Sequence, residues 1–133
     1  MRPDINDWAL EIAYVVAKRA TCPRRQVGCV LLDKYNRIIG LGYNGVPRGE
    51  PHCEQEEECS NGCRAIHAEA NALIHCTDAM NIETVVTTCF PCDGCAAMLK
   101  NTSMKKLVFA ERSSMSAPSY TFGINVEAIQ WEL

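Results

Sequence analysis

Hydrophobic positions recur along this chain with two different periods. Helical spacing of apolar residues predicts three amphipathic helices, over residues 5–19, 65–77 and 91–100. Short runs of β-branched and apolar residues predict five strands, over residues 27–32, 37–43, 82–88, 106–110 and 124–132. Asn6 is the expected cap of the first helix.

The order of these elements predicts the fold class. Four residues, 33–36, separate the first two strands, which is typical of an antiparallel hairpin. The later strands alternate with helices, and this alternation favours parallel strands joined by crossover helices. The sequence therefore predicts a three-layer α/β/α sandwich around a central mixed five-stranded sheet, formed by a single domain over residues 1–133.

Composition and the N-terminal residues narrow the class of protein. The chain is 47% hydrophobic and 22% charged, which is ordinary for a folded domain and too apolar for a disordered one. No apolar run approaches the roughly 20 residues that cross a bilayer. The first residues lack the apolar core of a secretory signal. We expect a cytoplasmic protein that makes no contact with a membrane.

The net charge of −3 is concentrated in one segment. Glu54, Glu56, Glu57 and Glu58 lie close together, and the rest of the chain is about +1. Without a stripe of Lys and Arg, nucleic acid is a poor candidate partner, whereas a single phosphate needs only one or two basic groups. The charge pattern favours a small-molecule ligand.

Nine cysteines form the strongest chemical signal in the sequence. An odd count, in a domain large enough to fold without disulfides and expected in a reducing compartment, indicates metal binding. Cys92 and Cys95 lie three residues apart at the start of a predicted helix and can bind one ion. His67 supplies a third ligand, and three protein ligands leave one zinc position open, as in catalytic sites.

The motif around His67 also contains a candidate proton carrier, Glu69. A carboxylate near the zinc but not bound to it can take a proton from zinc-bound water, the nucleophile, and deliver it to a ring nitrogen and a leaving amine. Residues two apart on a helix point about 200° away from each other. We therefore expect His67 at the helix entry, because both side chains reach one site only from there.

His-x-Glu followed by Pro-Cys-x-x-Cys is the signature of zinc-dependent nucleobase deaminases. Two alternative functions share part of this signature. A tRNA adenosine deaminase, or another nucleobase deaminase, would be expected to have a more basic face. A catalytically silent zinc-stabilised domain would not need Glu69.

With these motifs, the chain resembles the cytidine deaminase-like superfamily, and more closely the deoxycytidylate (dCMP) deaminases. Two further stretches carry the resemblance: Cys-Pro-Arg-Arg-Gln-Val-Gly-Cys-Val at 22–30 and Gly-Tyr-Asn-Gly-Val-Pro-Arg-Gly at 42–49. The resemblance implies hydrolysis of dCMP to dUMP and ammonia. It also implies that Asn44 contacts the deoxyribose, whereas the alternative is a plain turn, because Asn-Gly is a common turn dipeptide. Arg24 or Arg25 is expected to bind the phosphate, and the Ala68 backbone the base.

The resemblance has three further implications. Some members contain a second, structural zinc, for which Cys22 and Cys53 occupy ligand positions. Cys59 and Cys63 would complete four sulfur ligands, with His52 as an alternative. The family also implies a homo-oligomer, a hexamer or a dimer, and control by dCTP and dTTP.

Overall fold

The computed structural model describes residues 1–55, 63–112 and 125–133. In these ranges the helices are α1 (Ile5–Ala17), α2 (Ala68–Ile74) and α3 (Asp93–Lys100), with a 3-10 turn at Ala79–Asn81. The strands are β1 (Gly28–Leu32), β2 (Ile38–Tyr43), β3 (Thr84–Cys89), β4 (Lys106–Glu111) and β5 (Glu127–Gln130). No helix in the described part of the chain is long and apolar enough to span a membrane.

The five strands form one mixed sheet in the order β2-β1-β3-β4-β5. Strand β1 is antiparallel to both β2 and β3, whereas β3, β4 and β5 run parallel to one another. Every residue of β1 and β3 is buried, because both strands lie inside the sheet with helices over its two faces. The predicted mixed five-stranded sheet is confirmed.

Helices cover the two faces of the sheet with separate apolar clusters. One cluster contains the α1 side chains and their partners on the sheet: Ala9, Leu10, Ala13, Val30, Leu32, Val86 and Val108. The other contains residues of α2 and α3 with the opposite side of the sheet, among them Ala68, Ala72, Ala96, Leu99, Leu31, Val85 and Leu107. The predicted three-layer α/β/α sandwich is therefore confirmed.

Helix α2 lies unusually close to β2. A Cβ atom at Gly42 would lie 2.4 Å from the Ala72 backbone nitrogen and 2.7 Å from the Ala68 carbonyl oxygen. Only glycine fits this contact, because side chains in proteins do not approach backbone so closely. The contact fixes the height of α2 above the sheet, and with it the residues at the start of that helix.

The cap of α1 differs from the sequence expectation. Asp4, not Asn6, is the N-cap residue, and its carboxylate accepts a hydrogen bond from the Asn6 backbone N–H at 2.8 Å. Asn6 lies inside the first turn, where its own N–H is one of the donors that a cap must satisfy. The prediction that Asn6 caps the helix was wrong.

Two elements differ from their predicted bounds by more than two residues at an end. Helix α2 begins at Ala68 rather than residue 65, because Ile66 pairs with Gly45 through two backbone hydrogen bonds of 3.0 and 2.8 Å. Strand β5 covers Glu127–Gln130 instead of residues 124–132, and Ile124 lies outside the described residues.

Candidate active site

Three side chains meet where α2 and α3 begin. His67 is the N-cap residue of α2, Cys92 is the N-cap residue of α3, and Cys95 lies in the first turn of α3. The His67 Nδ1 atom is 3.4 Å from Cys92 Sγ and 3.3 Å from Cys95 Sγ. Within the described ranges, they are the one group of three candidate metal ligands within 4.8 Å of each other.

The position of His67 meets the geometric requirement set by its spacing from Glu69. His67 has an extended backbone, with φ −66° and ψ 154°, while Glu69 belongs to the first helical turn. The two side chains are therefore not separated by the 100° per residue of a regular helix. Both reach the same site, one from the cap and one from the helix.

Electrostatics at this site favour a cation. Burial raises the pKa of the Cys95 thiol well above its usual range, and the charges of Glu69 and Cys92 raise it further. Two thiols and a carboxylate thus converge where anionic charge is costly without a positive partner. A divalent ion reverses this effect by binding the thiolates directly. One imidazole and two sulfurs match the ligands of catalytic zinc, so the residues fit that metal.

Glu69 is a buried carboxylate beside the three candidate ligands. The residue is 4% exposed, and its charge helps to raise the pKa of the Cys95 thiol. The Thr87 hydroxyl, from strand β3, donates to Glu69 Oε1 at 3.2 Å. A carboxylate held in this way can accept a proton from a water molecule at the metal and pass it on.

A cavity of about 660 Å³ opens beside these residues, and His67, Glu69 and Cys92 form part of its wall. The four predicted substrate-binding residues also line it: Arg24, Arg25, Asn44 and Ala68. Its volume lies within the range of small-molecule sites. The structure thus brings the predicted metal, proton-transfer and substrate residues to one cavity.

Asn44 has a structural role in the wall of this cavity. Its Oδ1 atom accepts a hydrogen bond from the Val27 N–H at 2.8 Å, and its Nδ2 atom donates to the Arg25 carbonyl oxygen at 2.9 Å. The amide therefore ties the end of β2 to the segment that contains Arg25. Any contact of Asn44 with a substrate is made from this fixed position.

The sequence analysis did not predict that Arg112 and Glu111 line the cavity. Arg112 lies over the rings of Phe90 and Phe109, with its guanidinium carbon 4.7 and 4.8 Å from the ring centroids. Cys89 accepts a hydrogen bond from the Arg25 guanidinium. Arg112, Cys89 and Glu111 all line the cavity. The sequence could have indicated these residues only through their places at the ends of β3 and β4, since residues that follow parallel strands meet at one edge of a sheet.

The candidate ligands of a second zinc lie next to this cavity, and Cys22 and Cys63 line both it and a second, smaller one. Cys22, Cys53 and Cys63 line the smaller cavity of about 10 Å³ together with Thr21 and Val46. Cys59 lies outside the described residues, and His52 is exposed. The structure thus brings three of the four predicted cysteines to one small cavity.

Comparisons with known proteins identify the family of this chain. The model of the cytidine and deoxycytidylate deaminase zinc-binding region matches residues 3–111. A deoxycytidylate deaminase of Mycobacterium phage D29 is 34% identical over 127 residues, which cover 84% of this chain and 98% of the phage protein. A probable deoxycytidylate deaminase of Caenorhabditis elegans is 40% identical over 109 residues, 77% of this chain and 55% of the worm protein. The chain thus spans about half the length of the worm relative.

A solved structure has the same fold. The dCMP deaminase of cyanophage S-TIM5, in complex with dCMP and dUMP, superposes with a TM-score of 0.84 at 24% identity and covers 98% of this chain and 99% of its own. Since the family model spans most of the chain and the phage D29 relative matches over nearly its whole length, this chain belongs to the cytidine and deoxycytidylate deaminase zinc-binding family.

Proposed function

We propose that this protein catalyses the zinc-dependent hydrolytic deamination of dCMP to dUMP, with release of ammonia. The observation that carries the proposal is the convergence of His67, Cys92 and Cys95 beside buried Glu69, on a cavity also lined by arginines. The phage D29 relative, a deoxycytidylate deaminase, supports the choice of substrate because it matches this chain over 98% of its own length.

Each residue of the site has a distinct task in this reaction. His67, Cys92 and Cys95 would hold the zinc ion, which when bound supplies a Lewis acid that lowers the pKa of a water molecule toward about 7. Glu69 takes one proton from the attacking water and delivers it to the ring nitrogen N3, and it then carries the second proton of that water to the leaving amine. The water oxygen forms a bond to C4 of the base, and the bond from C4 to the exocyclic amine nitrogen breaks. The products are dUMP and ammonia.

Basic residues at the cavity support a substrate with a phosphate. Arg24, Arg25 and Arg112 all line the cavity, and guanidinium groups bind phosphate oxygens through paired, charge-assisted hydrogen bonds. We assign the phosphate to this group of arginines. Asn44 offers its amide to the sugar, and Ala68 offers its backbone to the base.

A panel of substrates tests this proposal. Zinc-loaded protein is offered dCMP, deoxycytidine, CMP and a single-stranded oligonucleotide, and ammonia release is measured. We expect kcat/KM for dCMP to exceed that for deoxycytidine by about 100-fold, because the charged hydrogen bonds to the phosphate are lost in the nucleoside. Preferred turnover of the oligonucleotide would indicate a polynucleotide deaminase and contradict the proposal.

Variants of the arginines locate the phosphate. Arg24→Gln and Arg25→Gln are each expected to raise KM for dCMP by about 10-fold and to change KM for deoxycytidine little. Arg19→Gln is the matched control, because Arg19 is exposed at the end of α1 and does not line the cavity. Equal changes in KM for dCMP and for deoxycytidine would show that these arginines do not bind the phosphate.

We also propose a second, structural zinc bound by Cys22, Cys53, Cys59 and Cys63, with His52 as the alternative ligand. Its support is that Cys22, Cys53 and Cys63 line one small cavity. A metal ion there would offset the entropy lost on ordering a segment rich in Gly, Pro and Glu.

A homo-oligomer controlled by dCTP and dTTP is the third part of the proposal. The support for association is apolar surface, since Val15 of α1 is 60% exposed and Leu41 of the edge strand β2 is 41% exposed. Control by the two nucleotides rests on the resemblance to the family. Light scattering with and without each nucleotide tests it. A monomer whose mass and activity change with neither nucleotide would contradict it.

A further inference from the structure

Strand β3 carries a buried hydroxyl directly beneath the active site. Thr87 is fully buried, and its Oγ1 atom lies 3.2 Å from Glu69 Oε1. The contact crosses from the sheet to α2, because Thr87 belongs to β3 and Glu69 to the first turn of α2. A buried threonine among apolar neighbours such as Val85 and Phe109 is costly unless its hydroxyl has a partner.

The Thr87 hydroxyl is itself held in place by the strand. Its Oγ1 atom is 2.9 Å from the Cys89 carbonyl oxygen and 3.4 Å from the Cys89 nitrogen, which donates to it. The β-branched side chain also has few χ1 rotamers. The hydroxyl also lies within hydrogen-bond distance of Glu69 Oε1, at 3.2 Å, so it is held between its own strand and the carboxylate of α2. Thr87 therefore presents a fixed hydroxyl to Glu69.

Glu69 reaches the site on a flexible side chain, so its carboxylate needs a fixed contact. The hydrogen bond to Thr87 holds Oε1 and so fixes the orientation of the carboxylate beside the three candidate metal ligands. A misplacement of about 1 Å in a reacting group can cost about 100-fold in rate. We infer that Thr87 is a positioning residue that orients the Glu69 carboxylate for proton transfer, an inference that rests on the proposed deaminase function.

Three variants test this inference in the full-length, zinc-loaded protein. Thr87→Val has nearly the same shape but lacks the hydroxyl, whereas Thr87→Ser keeps the hydroxyl and loses only a methyl group. Thr84→Val is the matched control, since it removes a buried hydroxyl from the start of the same strand, at a position that does not line the cavity. For each variant, kcat, KM, zinc content and the urea midpoint of unfolding are measured.

We expect Thr87→Val to lower kcat by about 10-fold while KM and zinc content stay close to wild type, because the carboxylate acts in the chemical step rather than in binding. Thr87→Ser is expected to retain kcat within about threefold, and Thr84→Val to leave kcat unchanged. A merely structural role would lower kcat in Thr87→Val only together with a loss of stability or zinc content.

Two negative results are distinguishable. If wild-type protein deaminates a substrate and Thr87→Val retains its kcat, or if the serine and valine variants lose kcat equally, the positioning role is wrong and the proposed function stands. If the zinc-loaded wild type releases ammonia from none of the substrates in the panel, the proposed function is wrong and the inference falls with it. The comparison uses whichever substrate the wild type deaminates, so a wrong choice of nucleotide does not affect it.

Discussion

At the scale of single residues, Asn44 combines two tasks that are usually separate. Its amide is 8% exposed and is hydrogen-bonded to the backbone at both ends, to Val27 and to Arg25. The same side chain lines the cavity. Its removal should therefore change stability as well as substrate binding, unlike the removal of a residue that only contacts the ligand.

We predict that Asn44→Ala lowers the free energy of unfolding by about 1–3 kcal/mol, because two backbone groups lose their partners. It should also raise KM, because the segment with Arg25 is released. Asn44→Asp keeps the acceptor for the Val27 N–H but turns a carboxylate oxygen toward the Arg25 carbonyl, so it should also be destabilised. Urea unfolding and steady-state kinetics measure both effects. A stability equal to wild type in both variants would contradict the bracing role.

The residues that could be identified from the sequence are those whose relation is local. His67 and Glu69 lie two residues apart and Cys92 and Cys95 three, so each motif contains its own chemistry. The relation of Thr87 to Glu69 depends on how β3 lies beneath α2, which no local pattern contains. Arg112 reaches the cavity because β4 runs parallel to β3. Its position could therefore be predicted only once the arrangement of the sheet was known.

At the scale of elements, the height of α2 above β2 positions the proposed catalytic residues. Gly42 allows the Ala72 and Ala68 backbone to approach the strand, and Ala68 is adjacent to both His67 and Glu69. Any displacement of α2 should therefore move the proton carrier and a metal ligand together.

We predict that Gly42→Ala destabilises the protein by about 1–3 kcal/mol through overpacking and lowers activity by more than its loss of folded protein explains. Gly94→Ala is the matched control, because a Cβ there meets no atom within 4 Å. Since Gly94 lies in α3, alanine should leave stability equal or raise it by up to about 1 kcal/mol. Thermal unfolding and activity per folded molecule measure the difference. Equal stabilities of the two variants would argue against the close contact.

Element boundaries depended on contacts outside each element. The periodicity of residues 65–77 is helical throughout, yet Ile66 pairs with Gly45, and the helix begins only after His67. Asp4 and Asn6 are both suitable cap residues, and residue type alone does not decide between two such candidates two residues apart. The cap of α1 was therefore wrongly assigned to Asn6. Helix and strand types were predictable because apolar periodicity reflects the layer each element packs against.

At the scale of the whole molecule, metal content distinguishes one zinc site from two. We predict about two zinc ions per chain in protein purified without added metal. Cys63→Ser should reduce this to about one, whereas Cys76→Ser, which changes a cysteine that packs against the α2 side of the core, should leave it unchanged. Atomic emission on the purified variants measures the ratio. A value near one zinc per chain in the wild type would contradict the second site.

The central claim is that Glu69 moves the proton in a hydrolysis of dCMP at a metal held by His67, Cys92 and Cys95. Its most direct test compares wild type with Glu69→Gln, both shown to contain equal zinc, for the formation of dUMP and ammonia from dCMP. We predict equimolar products from the wild type and a loss of kcat of about 100- to 10,000-fold in the variant, because glutamine cannot carry the proton. Undiminished turnover by Glu69→Gln, or no dUMP from the wild type, would contradict the account.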